Sequence, residues 1–259
     1  MFASLYLIRV RTCACEAFIG AFFYWRRFEM TQNKMHVKKL TVLAMLCALA
    51  FVVMLLAHLV PFFAFIPSLP FLKYDPKDVI IVIGGLLFGP LEALAVSVVV
   101  STLEMITIST TGPIGLVMNV LSTAAFVCPA ALLYKRRHNM RGAVTGLAAG
   151  VLLMTGVMLL WNYLITPMYM KIDREVLVGY LLPGFLPFNL LKAGINMALT
   201  LLIYKPVSTA LRKARLLPES KGGAQLPGRK RFFSPGLLIF ALALLATCVL
   251  IVLVFEGVI

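Results

Sequence analysis

Apolar residues run in long stretches along this chain, and charged residues fall mostly in the gaps between them. A run of about 20 apolar residues is long enough to cross roughly 30 Å of hydrocarbon as a helix. Reading the runs against their proline and glycine breakers gives a first span from Lys39 to Val60, closed by Pro61 and the proline-rich stretch Phe62 to Pro70. A short second span runs from Asp78 to Phe88, and Gly89-Pro90 turns the chain into a third, Leu91 to Ile108. Gly112-Pro113 opens a fourth that ends at Tyr134, and a basic loop from Lys135 to Arg141 leads to a fifth, Gly142 to Met170. The sixth runs from Pro183 to Tyr204, a hydrophilic linker from Lys205 to Arg231, and a seventh apolar run from Phe232 to Phe255. The expected architecture is all-α and polytopic: a six-helix membrane core over 35–206, a basic linker over 207–231 and an extra C-terminal transmembrane helix over 232–259. Residues 1–34 fit poorly as a span, because Arg9, Arg11 and Glu16 interrupt them; they read as an interfacial segment or as the product of a misplaced start, with Met30 and Met35 as later beginnings.

Composition agrees: 61% of the residues are hydrophobic, only 13% are charged, and the mean hydropathy is +0.98. Soluble enzymes, nucleic-acid readers and disordered chains are excluded. The formal charge of +14 is a matter of topology. Lys34, Lys38 and Lys39 precede the first span, Lys135, Arg136, Arg137 and Arg141 follow the fourth, and Lys205, Arg212, Lys213 and Arg215 open the linker, so all fall on one face. On the other face Lys73, Lys77, Lys171 and Arg174 stand beside Asp75, Asp78, Asp173 and Glu175. The positive-inside rule puts the amino end in the cytoplasm of a multi-pass protein of the cell membrane. Cys13, Cys15, Cys47, Cys128 and Cys248 show no metal-ligand spacing with the histidines, and no metal site or disulfide frame is proposed.

Polar groups inside the spans carry the functional signal, because each is costly in hydrocarbon. At about 1.5 Å per residue, Glu104, Asn119, Asn162, Asn189 and Lys192 all fall about 8 to 14 Å below the outer surface. Asn189 and Lys192, spaced i and i+3, share a helix face and can address one ligand together. The alternative is that each makes an interhelical hydrogen bond, or that Lys192 pairs with Glu104. Trp161, Tyr163, Phe185 and Phe188 lie near this layer, which suits a flat, partly apolar ligand with amide-like edges. The loop from Phe71 to Asp78, carrying Tyr74, Asp75 and Asp78, sits above the layer as a candidate lid.

Ala44 with Ala48, and Gly142 with Gly146 and Gly150, form small-residue faces that admit a neighbouring helix. No GxxxxGK[ST], HExxH or GxSxG pattern occurs. An enzyme is therefore the weaker class, and a binding subunit that borrows energy from elsewhere the stronger.

From Val37 to Leu217 the chain resembles the substrate-binding S components of energy-coupling factor (ECF) vitamin transporters, most closely their riboflavin-specific branch. The matching features are Lys73-Tyr74-Asp75-x-x-Asp78, Phe88-Gly89-Pro90, Gly112-Pro113-Ile114-Gly115 with Asn119, Asn162-Tyr163 before Pro167, Pro187 to Lys192, and Tyr204-Lys205-Pro206. The resemblance implies a six-helix S component, not an enzyme, that takes riboflavin from outside. Asn162, Asn189 and Lys192 would hold the isoalloxazine ring, and Ala44 and Ala48 would dock on a transmembrane T component driven by two ATPase subunits. Riboflavin is then cargo, with no cofactor and no nucleic-acid partner. The same fold binding another vitamin or a flavin nucleotide is the nearest rival, and a stand-alone facilitator or intramembrane enzyme the rival from another class. Residues 1–34 and the seventh run depart from the six-helix pattern, and the core is expected to bind without the latter.

Overall fold

A computed structural model describes residues 37–59, 74–109, 111–137, 139–171, 173–214, 216 and 235–255. The N-terminal extension, the stretch 60–73 and most of the linker lie outside the described residues. By internal contacts the chain divides into Met1–Val42 and Leu43–Ile259, and every site discussed below belongs to the second unit.

Among the described residues the elements are helices: α1 Val37–Leu59, α2 Lys77–Phe88, α3 Pro90–Thr107, α4 Gly112–Arg137, α5 Met140–Leu164, α6 Thr166–Met170, α7 Arg174–Tyr180, α8 Leu186–Lys213 and α9 Pro235–Phe255. Six helical stretches are long and apolar enough to cross a membrane. The expected second span is the short one: α2 has 12 residues, about 18 Å of helix.

Breakers act where the sequence places them. Gly89 takes φ 120°, which a side chain resists, and Pro90 begins α3 with the φ it already has, so α2 and α3 fold back on each other. The expected fifth span divides at Ile165, two residues before Pro167, into α5 and the short α6. The sixth begins earlier than expected. Helix α7 passes into a π-helical turn, Leu181–Phe185, that contains Pro183, and Pro187 opens α8. A proline cannot donate to the regular ladder, and a local shift to wider turns lets the helix continue past it.

The core is apolar and centred on α2, with Ile81, Val82 and Ile83 packed against Val100, Phe126, Val127 and Met154. Leu46 of α1 lies 3.3 Å from where a Cβ on Gly84 would stand, so glycine there lets α1 approach. The most extensive helix pairing is α4 with α5, and the stripe of Gly142, Gly146 and Gly150 forms it. A Cβ at Gly146 would lie 2.9 Å from the carbonyl oxygen of Ala130. That small-residue face is therefore filled from within the chain. Outward, Leu49, Val52, Leu152, Leu160, Ile251 and Val254 remain exposed, as residues facing lipid do.

Candidate functional site

At the end of the bundle where α2 begins and α3 ends, three short steps of sequence bring charge inside. Tyr74, Asp75, Lys77 and Asp78 are all buried. Asp75 accepts the backbone N–H of Lys77 at 3.0 Å, which folds the segment back on the first turn of α2. The Lys77 ammonium donates to Asp75 and to Glu104 of α3, and Asn119 Nδ2 of α4 donates to the same Glu104 oxygen at 2.9 Å. One lysine thus links the α2 entry, α3 and α4.

A second set centres on Asp78. Thr123 Oγ1 of α4 donates to it at 2.7 Å, Asn196 Nδ2 of α8 at 3.5 Å, and the Lys192 ammonium stands 3.7 Å away. The Tyr74 hydroxyl donates to Asn196 Oδ1 at 2.7 Å. Lys192 lies beyond hydrogen-bond reach of Asp78, so that carboxylate does not consume its three donors. Buried charges are costly unless paired and hydrogen-bonded, and each carboxylate here has such a partner.

Of the residues singled out from sequence, Tyr74, Asp75, Asp78, Glu104, Asn119 and Lys192 join this polar layer. The direct Lys192–Glu104 pair is not formed: Lys77 takes Glu104 and Lys192 faces Asp78. Asn162 and Asn189 are buried and bond instead to residues one helical turn away along the chain. Asn162 Nδ2 donates to Met158 O at 2.7 Å and accepts from Thr166 Oγ1 at 2.9 Å, and Asn189 Nδ2 donates to Phe185 O at 2.8 Å. The candidate lid divides too: 71–73 lie outside the described residues, and 74–78 belong to the layer itself.

Sequence reasoning missed Lys77, Thr123 and Asn196. Thr123 and Asn196 had a signal, standing one helical turn beyond Asn119 and Lys192 on the same faces. Lys77 had none, because its neighbours made it look like a loop charge.

The apolar wall beside the layer is Tyr74, Phe185, Phe188, Leu191 and Ile195. Trp161 is partly buried against the main core, and its indole N–H has no hydrogen-bond partner among the described residues. Tyr163 is exposed, with Arg174 over its ring at 6.0 Å. Ala44 and Ala48 lie one helical turn apart on an exposed face of α1, beside Met45, Leu49 and Val52.

A buried polar layer inside apolar helices, next to an aromatic wall, marks a membrane protein with a candidate functional site at one end of its bundle. Residues 38–204 match the family described as "ECF transporter, substrate-specific component", and the chain belongs to it. It is an integral membrane protein of a transport family, not an enzyme. The riboflavin transporter FmnP of Bacillus subtilis (strain 168) is 35% identical over 180 residues, which is 66% of this chain and 92% of that protein. The riboflavin transporter RibU of Staphylococcus aureus (strain TCH60) is 28% identical over 194 residues, covering 73% and 97% respectively. The solved structure of an S component of a bacterial ECF transporter superposes with a TM-score of 0.57 at 27% identity, over 70% of this chain and 99% of that one.

Proposed function

We propose that the chain captures riboflavin at the outer face of the cell membrane and delivers it to the cytoplasm, as the S component of a complex with a T component and two ATPase subunits. The observation that supports this best is the polar layer: Asp78, Glu104, Asn119 and Lys192, from four helices, meet beside the Tyr74–Phe188 wall. The isoalloxazine ring is flat and apolar on its faces, with carbonyl and N–H groups along one edge. Lys192 supplies donors to a carbonyl, while the amides of Asn162 and Asn189 supply both donor and acceptor once their bonds to nearby residues of the chain are exchanged. Two relatives named as riboflavin transporters make this ring the first to try. Basic residues flanking α1, α4 and α8 favour a cytoplasmic amino end, which puts the layer in the outer leaflet. The exposed Ala44–Ala48 face suits close approach by a helix of the T component.

The test is titration of riboflavin into the purified chain, followed by quenching of flavin fluorescence, with flavin mononucleotide and thiamine as comparisons. Saturable binding of riboflavin with thiamine ignored is the expected result. Tighter binding of the nucleotide, or no flavin binding, would replace the reading.

A further inference from the structure

Helix α9 begins at Pro235, beyond the residues 38–204 that match the family. It is apolar nearly all round, with Thr247 its one hydroxyl, so polarity does not select the side that packs. Ala241, Cys248 and Val252 are buried and Leu244 and Leu245 partly so, at steps that trace one stripe along the helix, whereas Ile239, Leu242, Leu250 and Val254 face outward. Opposite the stripe stands Gly194 of α8, where a Cβ would lie 3.2 Å from Cys248 Sγ. Glycine facing cysteine lets α9 come close, and one turn later Val252 reaches a cluster formed by Tyr74, Leu177, Phe188, Leu191 and Ile195.

Tyr74 is the member of this cluster that also belongs to the polar layer. Its ring lies in the apolar cluster with Cys248 and Val252, and its hydroxyl donates to Asn196 Oδ1, whose amide faces Asp78. We infer that α9 is a positioning element for the ligand site: Cys248 and Val252 hold Tyr74 against α8, and Tyr74 in turn fixes Asn196, Asp78 and, beside it, Lys192. Toward α5 the seam stays open, as an apolar groove of about 520 Å³ between Leu152, Leu190, Met197 and Ile251. The route from α9 to the site therefore runs through α8 and Tyr74. A core indifferent to its seventh helix is not what this packing describes.

The inference rests on the reading of the layer as a flavin site, and the full-length chain tests both. Riboflavin affinity is measured for Cys248→Phe, whose ring does not fit against Gly194, for Tyr74→Phe, for the two combined, and for Leu250→Phe, which puts the same ring on the outward face. Cys248→Phe and Tyr74→Phe each raise Kd about tenfold, and the double variant is little worse than either, because both interrupt one chain of contacts. Leu250→Phe stays within about twofold of the unaltered chain. Unchanged binding by Cys248→Phe, or a double variant weakened by the product of the two, overturns the inference while leaving the flavin reading intact. An unaltered chain that binds no riboflavin removes the reading itself, and the inference with it. Should Cys248→Phe fail to fold, Val252→Ala, which deletes a contact instead of adding bulk, carries the same expectation at about threefold, and unchanged affinity there overturns it equally.

Discussion

Two helices of this protein carry the same kind of small-residue stripe and use it differently. On α5, Gly142, Gly146 and Gly150 are buried, and backbone of α4 occupies the space that the missing side chains of Gly146 and Gly150 leave. On α1, Ala44 and Ala48 are exposed, with nothing of the described chain laid across them. In sequence both read as invitations to a neighbouring helix. The difference is that one is filled by a helix of the described chain and the other is exposed. Lipid is as apolar as leucine, so close packing of small residues is a main source of helix association in a bilayer, and the exposed stripe on α1 is the face proposed above for a partner helix.

Filling the α5 stripe gives the largest effect. Gly146→Leu drives a branched side chain into the Ala130 backbone, which cannot move away without unseating α4. The expected cost is about 3 kcal/mol or more, read as loss of the monodisperse peak in detergent and of all riboflavin binding. Near-normal yield and affinity would show that the α4–α5 seam tolerates bulk, and the contrast with α1 would disappear.

Ala48→Trp on α1 separates binding from transport. The exposed position has room for the indole in the isolated chain, so riboflavin affinity stays within about twofold, whereas uptake by cells carrying the whole transporter is lost. Affinity falling together with uptake would mean that this face supports the site, not a partner.

Lys192→Ala sharpens the contrast from the ligand side. Removing the ammonium leaves Asp78 without its facing cation and, on the proposed reading, the ring edge without a donor, so riboflavin binding is expected to weaken by about 1–3 kcal/mol. Uptake should fall at low riboflavin and recover when riboflavin is raised, because docking is untouched. The Ala48→Trp defect, by contrast, should not respond to added vitamin. Full affinity in Lys192→Ala would remove this residue from the site, and the same measurement on Asn189→Ala decides whether its bond to the Phe185 carbonyl is exchanged for the ligand.

The helices, and the common level at which Glu104 meets Asn119, were legible because both follow from one-dimensional arithmetic. Apolar run length marks a span, and residue count times rise gives the height of Glu104, Asn119 and Lys192 along their helices. Pairing was not legible in the same way. That Glu104 meets Lys77 rather than Lys192 depends on which helices are neighbours and how each is rotated, and neither is written in local spacing. Lys77 was hidden because a lysine flanked by Asp75 and Asp78 has the pattern of a solvated loop, and only the fold shows it closed under α3. Likewise the π turn at Pro183 keeps a helix going where a proline in sequence signals a beginning. The choice between the two small-residue stripes was also tertiary: the motif is the same on α1 and α5, and only the position of α4 tells them apart.

The smallest effect comes from Gly156, which is also on α5 but off the stripe. A Cβ built there meets nothing within 4 Å, in contrast with Gly146 ten residues earlier. If contact with α4, and not helix composition, is why the stripe needs glycine, then Gly156→Ala removes only the conformational freedom of a glycine in a helix interior. The variant should be as stable as the unaltered chain or more stable by about 0.5–1 kcal/mol, seen as an unchanged or slightly raised midpoint of thermal unfolding in detergent. A loss of stability comparable to that of Gly146→Leu would mean that α5 needs its glycines for flexibility along its whole length, and the account of the stripe as a surface shaped for α4 would fail.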